Sequence, residues 1–169
     1  MVIAAACPPV VPAQAPANLA GKITRLVPVD FVVRQQKQLD AKKDMEVLWG
    51  DAIQTERGGR VRVELGDGSI LNVGSQSSLV IEKHDAAGQD TALELVYGRV
   101  RANAVKITQP DGGFKVRTKA AVAGIVGTEE YLEASDINTL VIAMGGGKVI
   151  VSSTDPRFTD PVVLEPGKP

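Results

Sequence analysis

Few side chains in this sequence could do chemistry, and their spacing limits what that chemistry could be. His84 is the only histidine and Cys7 the only cysteine. A histidine-based metal centre needs at least two nitrogen ligands close together, so a single histidine excludes that class. Cys7 has no histidine near it in sequence and no second cysteine to pair with, so neither a Cys-His enzyme nor an intramolecular disulfide is expected. His84, between Lys83 and Asp85, is expected to be a solvated loop residue. Ser69 follows Asp67-Gly68 as a turn residue, with no Gly-x-Ser-x-Gly elbow around it. Gly145-Gly146-Gly147-Lys148 superficially resembles a phosphate loop. It lacks the glycine five residues before Gly147, puts Val149 where a magnesium-binding hydroxyl belongs, and leads into no helix, so it reads as a hairpin loop. Glu129, Glu130, Glu133 and Asp136 could attract a hard cation, but their spacing fits neither an EF-hand nor a nine-residue calcium repeat. In a strand, Glu129 and Glu133 share a face with Tyr131 while Glu130 and Leu132 share the other, and the run is expected to be a solvated face. The expectation is no catalytic residue, no metal and no cofactor.

The elements that would carry these residues are strands. Val61-Arg62-Val63-Glu64-Leu65 alternates strictly, placing the three aliphatics on one face and the two charges on the other. Asp67-Gly68 reads as a tight turn, and Leu71 and Val73 resume the apolar face beyond it. Leu93-Glu94-Leu95, Arg99-Val100-Arg101 and Phe114-Lys115-Val116-Arg117-Thr118 alternate likewise, with Val100 inward and both arginines outward. Strand signals recur about every ten residues, the spacing of sandwiches, barrels and solenoids. Lys22 to Arg34 reads as two short strands broken at Pro28, and Gln35 to Glu46 as an exposed loop or one short surface helix. Aromatics are only 4% of the 169 residues, so Val, Ile, Leu and Ala must make the core, and 17 Gly with 10 Pro make the chain turn-rich. The expected fold is all-β: a solenoid-like stack of short strands with Gly and Asp-Gly turns. Net charge is −1 with no basic block, so no nucleic-acid partner is expected.

Residues 1–19 differ from the rest. They carry no charge and end in Pro and Ala with Ala-x-Ala sites at Ala13-Gln14-Ala15 and Ala15-Pro16-Ala17, as the tail of a secretory signal would. Cys7 after Ala4-Ala5-Ala6 faintly resembles a lipoprotein box without its usual leucine, and loss with the leader is the expectation over a lipid anchor. No later run is long enough to span a bilayer. Residues 20–169 are expected to form one β domain.

Trp49-x-Asp51, then Thr55, a strand, the turn Asp67-Gly68-Ser69 and Leu71 together resemble the FecR domain, the cell-envelope module named after the ferric-citrate sensor. The likeness continues in order through Leu93 to Val100 with Gly98, Phe114-Lys115-Val116-Arg117-Thr118, Val126-Gly127-Thr128, and Val163-Leu164-Glu165-Pro166-Gly167. Each matching residue also has a structural reading: Trp49 as core mass, Asp51, Thr55 and Asp67 as turn-backbone partners, and the glycines as tight bends. The resemblance implies a β-solenoid-like fold and recognition at the envelope rather than catalysis. It leads to the expectation of an exported, free-standing FecR-domain protein, periplasmic or extracellular, without the family's anti-sigma and transmembrane segments. Such a protein would bind an envelope protein or glycan and be linked to signal sensing. Two alternatives stay open: a structural or adhesive β-scaffold, and a carboxylate-based polysaccharide hydrolase or lyase. If Asp67-Gly68 is a positive-φ turn, Gly68→Val should destabilise the domain by about 1–3 kcal/mol, read as a lowered denaturant midpoint.

Overall fold

The computed structural model describes residues 18–127 and 129–167; residues 1–17 of the expected 1–19 leader, with Cys7, and Thr128 lie outside them. Fifteen strands follow one another: β1 (Leu19–Val27), β2 (Asp30–Arg34), β3 (Lys37–Asp40), β4 (Glu46–Leu48), β5 (Ala52–Thr55), β6 (Arg60–Leu65), β7 (Ile70–Val73), β8 (Ser77–Asp85), β9 (Asp90–Asn103), β10 (Gly113–Arg117), β11 (Ala121–Val126), β12 (Glu129–Ala134), β13 (Thr139–Ala143), β14 (Lys148–Ser153) and β15 (Val162–Leu164). No helix occurs among the described residues, and hence none long and apolar enough to cross a membrane. The all-β expectation holds.

All fifteen strands belong to one hydrogen-bonded sheet bent into two open layers. The first layer runs β4-β1-β6-β7-β9-β12-β13. The second runs β3-β2-β5-β8-β9-β10-β11-β14-β15. Every pairing is antiparallel except β9 with β10. These pairings do not establish a solenoid-like stack. The layers face each other, with β1 and β7 against β8, β5 against β6, and β13 against β14.

Strand β9 belongs to both layers. Its first half pairs with β8 and β10, and its second half with β7 and β12. The change of layer falls at Gly98, where φ is +88°. A Cβ there would sit 2.3 Å from Ser77 Oγ and 2.4 Å from Gln76 O. Only glycine meets both demands at this bend. Ser77 Oγ in turn accepts the Arg99 amide at 2.9 Å, locking the strand just past it.

Alternation in each strand sends one set of side chains between the layers. Ile23, Val61, Val63, Leu71, Val73, Val100, Ala102 and Leu132 come from the first layer. Val32, Ile53, Leu79, Ile81, Leu93, Leu95, Val116 and Val149 come from the second. The core is aliphatic, as the scarcity of aromatics requires, and Trp49 packs at its edge, half-buried.

Three local readings need correction. Gln35 to Glu46 contains no helix; Gln35 and Gln36 take φ of 48° and 66° and turn the chain into strand β3. A two-residue type I′ hairpin needs positive φ at both positions, and Gln-Gln does not advertise it as Asn-Gly would. Gly145-Gly146-Gly147 is not a hairpin loop, since β13 pairs with β12 and β14 with β11, so the segment crosses between layers. His84 is not a solvated loop residue: it lies in β8 and is 2% exposed. A bulge between Ile81 and Lys83 inserts a residue into the alternation, turning Lys83 outward and His84 inward. The Asp67-Gly68 reading stands, with Gly68 at φ +88° between β6 and β7.

Gly98→Ala should destabilise the domain by on the order of 2 kcal/mol or more, through strain at positive φ and overlap with Gln76 and Ser77. Urea unfolding measures it, and an unchanged midpoint would show that β9 does not pivot there.

Candidate binding face

The family-like residues come to rest as fasteners. Asp51, 1% exposed, receives Arg34 through two parallel bonds, Nε to Oδ1 at 2.9 Å and Nη2 to Oδ2 at 2.7 Å. Its Oδ2 also accepts the Leu48 amide at 2.8 Å, and Arg34 Nη2 reaches Glu46 O at 2.9 Å, so one buried carboxylate ties β2, β4 and β5 together. The hydrogen bond to Asp51 raises the Arg34 guanidinium further above its ordinary value. Thr55 Oγ1 donates to Gly74 O and accepts the Ser77 amide at 3.0 Å, stapling β5 to the chain on either side of β8's start. Asp67 Oδ1 accepts the Ser69 amide at 2.8 Å, and Asp67 Oδ2 accepts Ser69 Oγ–H at 3.0 Å. Ser69 Oγ then accepts the Val105 amide at 3.1 Å, fastening the β6–β7 turn to the exit of β9.

Two buried titratable groups lie outside the earlier expectations. His84 Nδ1 and Thr91 Oγ1 are 2.9 Å apart, while Nε2 faces Asp67 Oδ1 at 3.9 Å without a hydrogen bond. Desolvation lowers the imidazole below its ordinary value against the opposing pull of Asp67 and Asp85, which favours the neutral ring. Glu130 is fully buried on the inner face of β12, and neither carboxyl oxygen has a partner. Burial pushes its carboxyl up to about 8. The solvated-face reading of the acidic run is therefore corrected at Glu130, whereas Glu129, Tyr131 and Glu133 do share the outward face. Parity with Leu132 was the signal, because period-2 alternation carries Glu130 inward with it.

The outer face of the first layer carries an extended hollow. A hollow of about 480 Å³ is lined by Arg60, Asn72, Arg99, Arg101, Tyr131 and Ile142 among others. It continues past Arg60, Asn72 and Gly74 into a second of about 340 Å³, bordered by Arg25 and Arg62. Register explains the row: Arg25 lies opposite Arg62, Arg62 opposite Asn72, Asn72 opposite Arg101, Arg101 opposite Tyr131 and Tyr131 opposite Ile142. Five arginines thus line one trough, and no Asp or Glu lines either hollow. Arg101 pairs with Glu129 and Arg99 with Glu133 at 4.0 Å along one rim. Tyr131 Oη donates to Glu133 Oε2 at 2.9 Å. Arg25, Arg60 and Arg62 form no ion pair among the described residues.

Val100, from the Leu93 to Val100 segment, lines this trough, but the turn and fastener residues do not. Trp49, Asp51, Thr55, Asp67, Gly68, Ser69, Gly98 and Gly127 are spread over turns and bends of both layers, and Gly127, at φ +60°, lies beside Lys106. Among the described residues no group of three or more His, Cys, Asp or Glu side chains is close enough to hold a metal ion.

A family model described as FecR protein matches residues 51–149, more than half of the chain. The chain belongs to the FecR protein family. The resemblance read from the ordered motifs is thereby established, and the fasteners at Asp51, Thr55 and Asp67 fall within the matched FecR region. Two crystal structures of a candidate anti-sigma factor from Parabacteroides distasonis ATCC 8503 share the fold. Each has a TM-score of 0.55 at 20% identity, over 68% of this chain and 51% of the other. This FecR chain therefore spans about half the length of those structures, and the likeness to them is one of fold. No curated protein matches the chain.

The two buried groups predict opposite pH effects. For Glu130 the folded-state value of about 8 exceeds the unfolded one, so its penalty is absent at low pH, grows as pH rises through the ordinary carboxylate range and is complete above about 8. Glu130→Gln should therefore melt higher than the parent at pH 9, by on the order of a few kcal/mol, with the gap closing towards pH 5. For His84 the folded value lies below the unfolded one, so stability is lost as pH falls below the ordinary imidazole range, and His84→Gln should remove that loss. Thermal melts from pH 4 to 9 test both, and superimposable pH profiles for parent and variants would refute them.

Proposed function

We propose that this FecR domain is a non-enzymatic recognition module of a signal-transduction system at the cell envelope, exported to the periplasm or cell surface, and that it binds through the outer face of its first layer. Membership of the FecR family supports the signalling part. The fold shared with a candidate anti-sigma factor agrees with it. The observation that carries the binding part is the trough itself: an open, arginine-lined hollow over the middle of a sheet, held rigid by strands paired on both sides. Rigid strands spare the backbone an ordering cost on binding. The trough is lined by no carboxylate, histidine or cysteine, so a general acid-base pair of the kind a glycoside hydrolase needs has no members there.

A second reading, a self-associating scaffold, has one observation in its favour. Ile150, Val162 and Val163 are exposed on and beside the open edge strand β15 of the second layer, and Val126 is exposed on β11 one strand further in.

The signalling reading predicts that deleting the gene in its host changes a defined set of transcripts, that the wild-type gene restores them, and that the protein fractionates with the envelope. An unchanged transcript profile together with a cytoplasmic location would refute it. Sedimentation of the purified domain addresses the scaffold: concentration-dependent assembly, abolished by Val163→Glu, would favour it over the recognition module.

A further inference from the structure

Three features of the trough point to a class of ligand. The first is charge that is only partly compensated, since Arg99 and Arg101 have acidic partners and Arg25, Arg60 and Arg62 have none among the described residues. The chain as a whole carries −1, yet five of its nine arginines converge on this one face. Arg25 and Arg62 stand directly opposite each other on β1 and β6 with no acid between them. Like charges in that position destabilise a strand pair. An anion lying over both would relieve the repulsion.

The second feature is position. The trough lies over β6, β7 and β9, and β7 is paired on both flanks, to β6 and to β9. No free backbone donor or acceptor is offered there, so an extended peptide could not add as a strand. The open edge at β13 lies beyond β12. Recognition in the trough must run through side chains: guanidinium forks, the Asn72 amide and the half-buried ring of Tyr131. Forks suit carboxylate, sulfate and phosphate. An amide and a ring with a polar tip suit hydroxyls and the apolar face of a sugar.

The third feature is length and direction. The two hollows are continuous, and the cations follow one another across strands spaced about 4.8 Å apart, with Arg25 and Arg62 on neighbours and Arg101 two strands further on. A small anion would fill one step of this row, whereas a linear chain with anionic groups at regular intervals fills all of it. A nucleic-acid strand is the poorer fit, because the trough holds a single aromatic ring for base stacking.

We propose that the arginine trough of the first layer binds a linear anionic glycan laid across β1, β6, β7 and β9. This rests on the recognition-module reading and narrows its ligand to a saccharide chain bearing carboxylate or sulfate groups. Arg60 and Arg62, which have no acidic partner among the described residues, contribute most; Arg101 and Arg99 exchange part of their hold on Glu129 and Glu133 for the ligand.

The test is equilibrium binding of the purified chain to polygalacturonate and dextran sulfate, with neutral dextran and duplex DNA of matched charge as comparators. Expected are saturable binding to at least one anionic glycan at low salt, weakening as salt screens it, and none to dextran. The double variant Arg60→Gln, Arg62→Gln should bind about tenfold more weakly, equivalent to ~1.4 kcal/mol. Arg117→Gln, on the outer face of the second layer beside Glu82, should bind as the parent does. If the double variant melts lower than the parent, Arg25→Gln carries the test instead, with a measurable weakening expected. No binding to either anionic glycan, duplex DNA binding as tightly, unaltered affinity in the trough variants, or equal loss in Arg117→Gln would each overturn the proposal. Failure here with a positive transcript test removes the glycan and leaves the signalling reading standing. A cytoplasmic protein with no transcript effect refutes the signalling reading whatever the glycan result.

Discussion

The whole arrangement hangs on one strand having to serve two layers. β9 supplies a hydrogen-bonding edge to β8 and β10 in its first half and to β7 and β12 in its second. Without that exchange the two layers would be separate sheets with no shared strand to fix how they pack. The bend concentrates at Gly98, where positive φ and the approach of Gln76 and Ser77 leave no room for a side chain. Burial of Leu93 and Leu95 on one side of the pivot and Val100 and Ala102 on the other then builds one continuous core. That apolar burial is the main favourable term.

Around this pivot the FecR residues act as buried polar fasteners. A carboxylate removed from water costs least when its oxygens are occupied, and Asp51 achieves this with one arginine and one backbone amide. Asp67 and Ser69 form a relay that ends on the Val105 amide, so the turn between β6 and β7 also fixes where the chain leaves β9. These residues determine shape, which explains why they are absent from the trough. Glu130 works against the fold, with two unpaired buried oxygens. Alternation with Leu132 and Ala134 in β12 turns it inward.

The outer face of the first layer inherits its properties from the same geometry. Each arginine points outward because its neighbours in sequence point inward: Val61 and Val63 around Arg62, Val100 and Ala102 around Arg101. Antiparallel register then aligns arginines from β1, β6 and β9 although they are up to seventy-odd positions apart in the chain. The result is a strongly basic trough on a protein of nearly balanced charge.

Period-2 alternation, turn chemistry and composition determined the strand content, the in-or-out sense of most strand residues and the Asp67-Gly68 turn, because all are local properties of a few consecutive residues, while the resemblance of the ordered motifs pointed to the family. The same rule already paired Glu130 with Leu132, although the run of acids drew attention to solvent instead. Tertiary structure alone decided the rest. A bulge after Ile81 reversed the phase of β8 and buried His84, which no local pattern records. The Gln35-Gln36 turn takes positive φ because β2 and β3 pair, not because glutamine prefers it. The trough is likewise invisible in the linear order, since strand pairing brings residues together by register between distant segments, and register is set by the core they enclose.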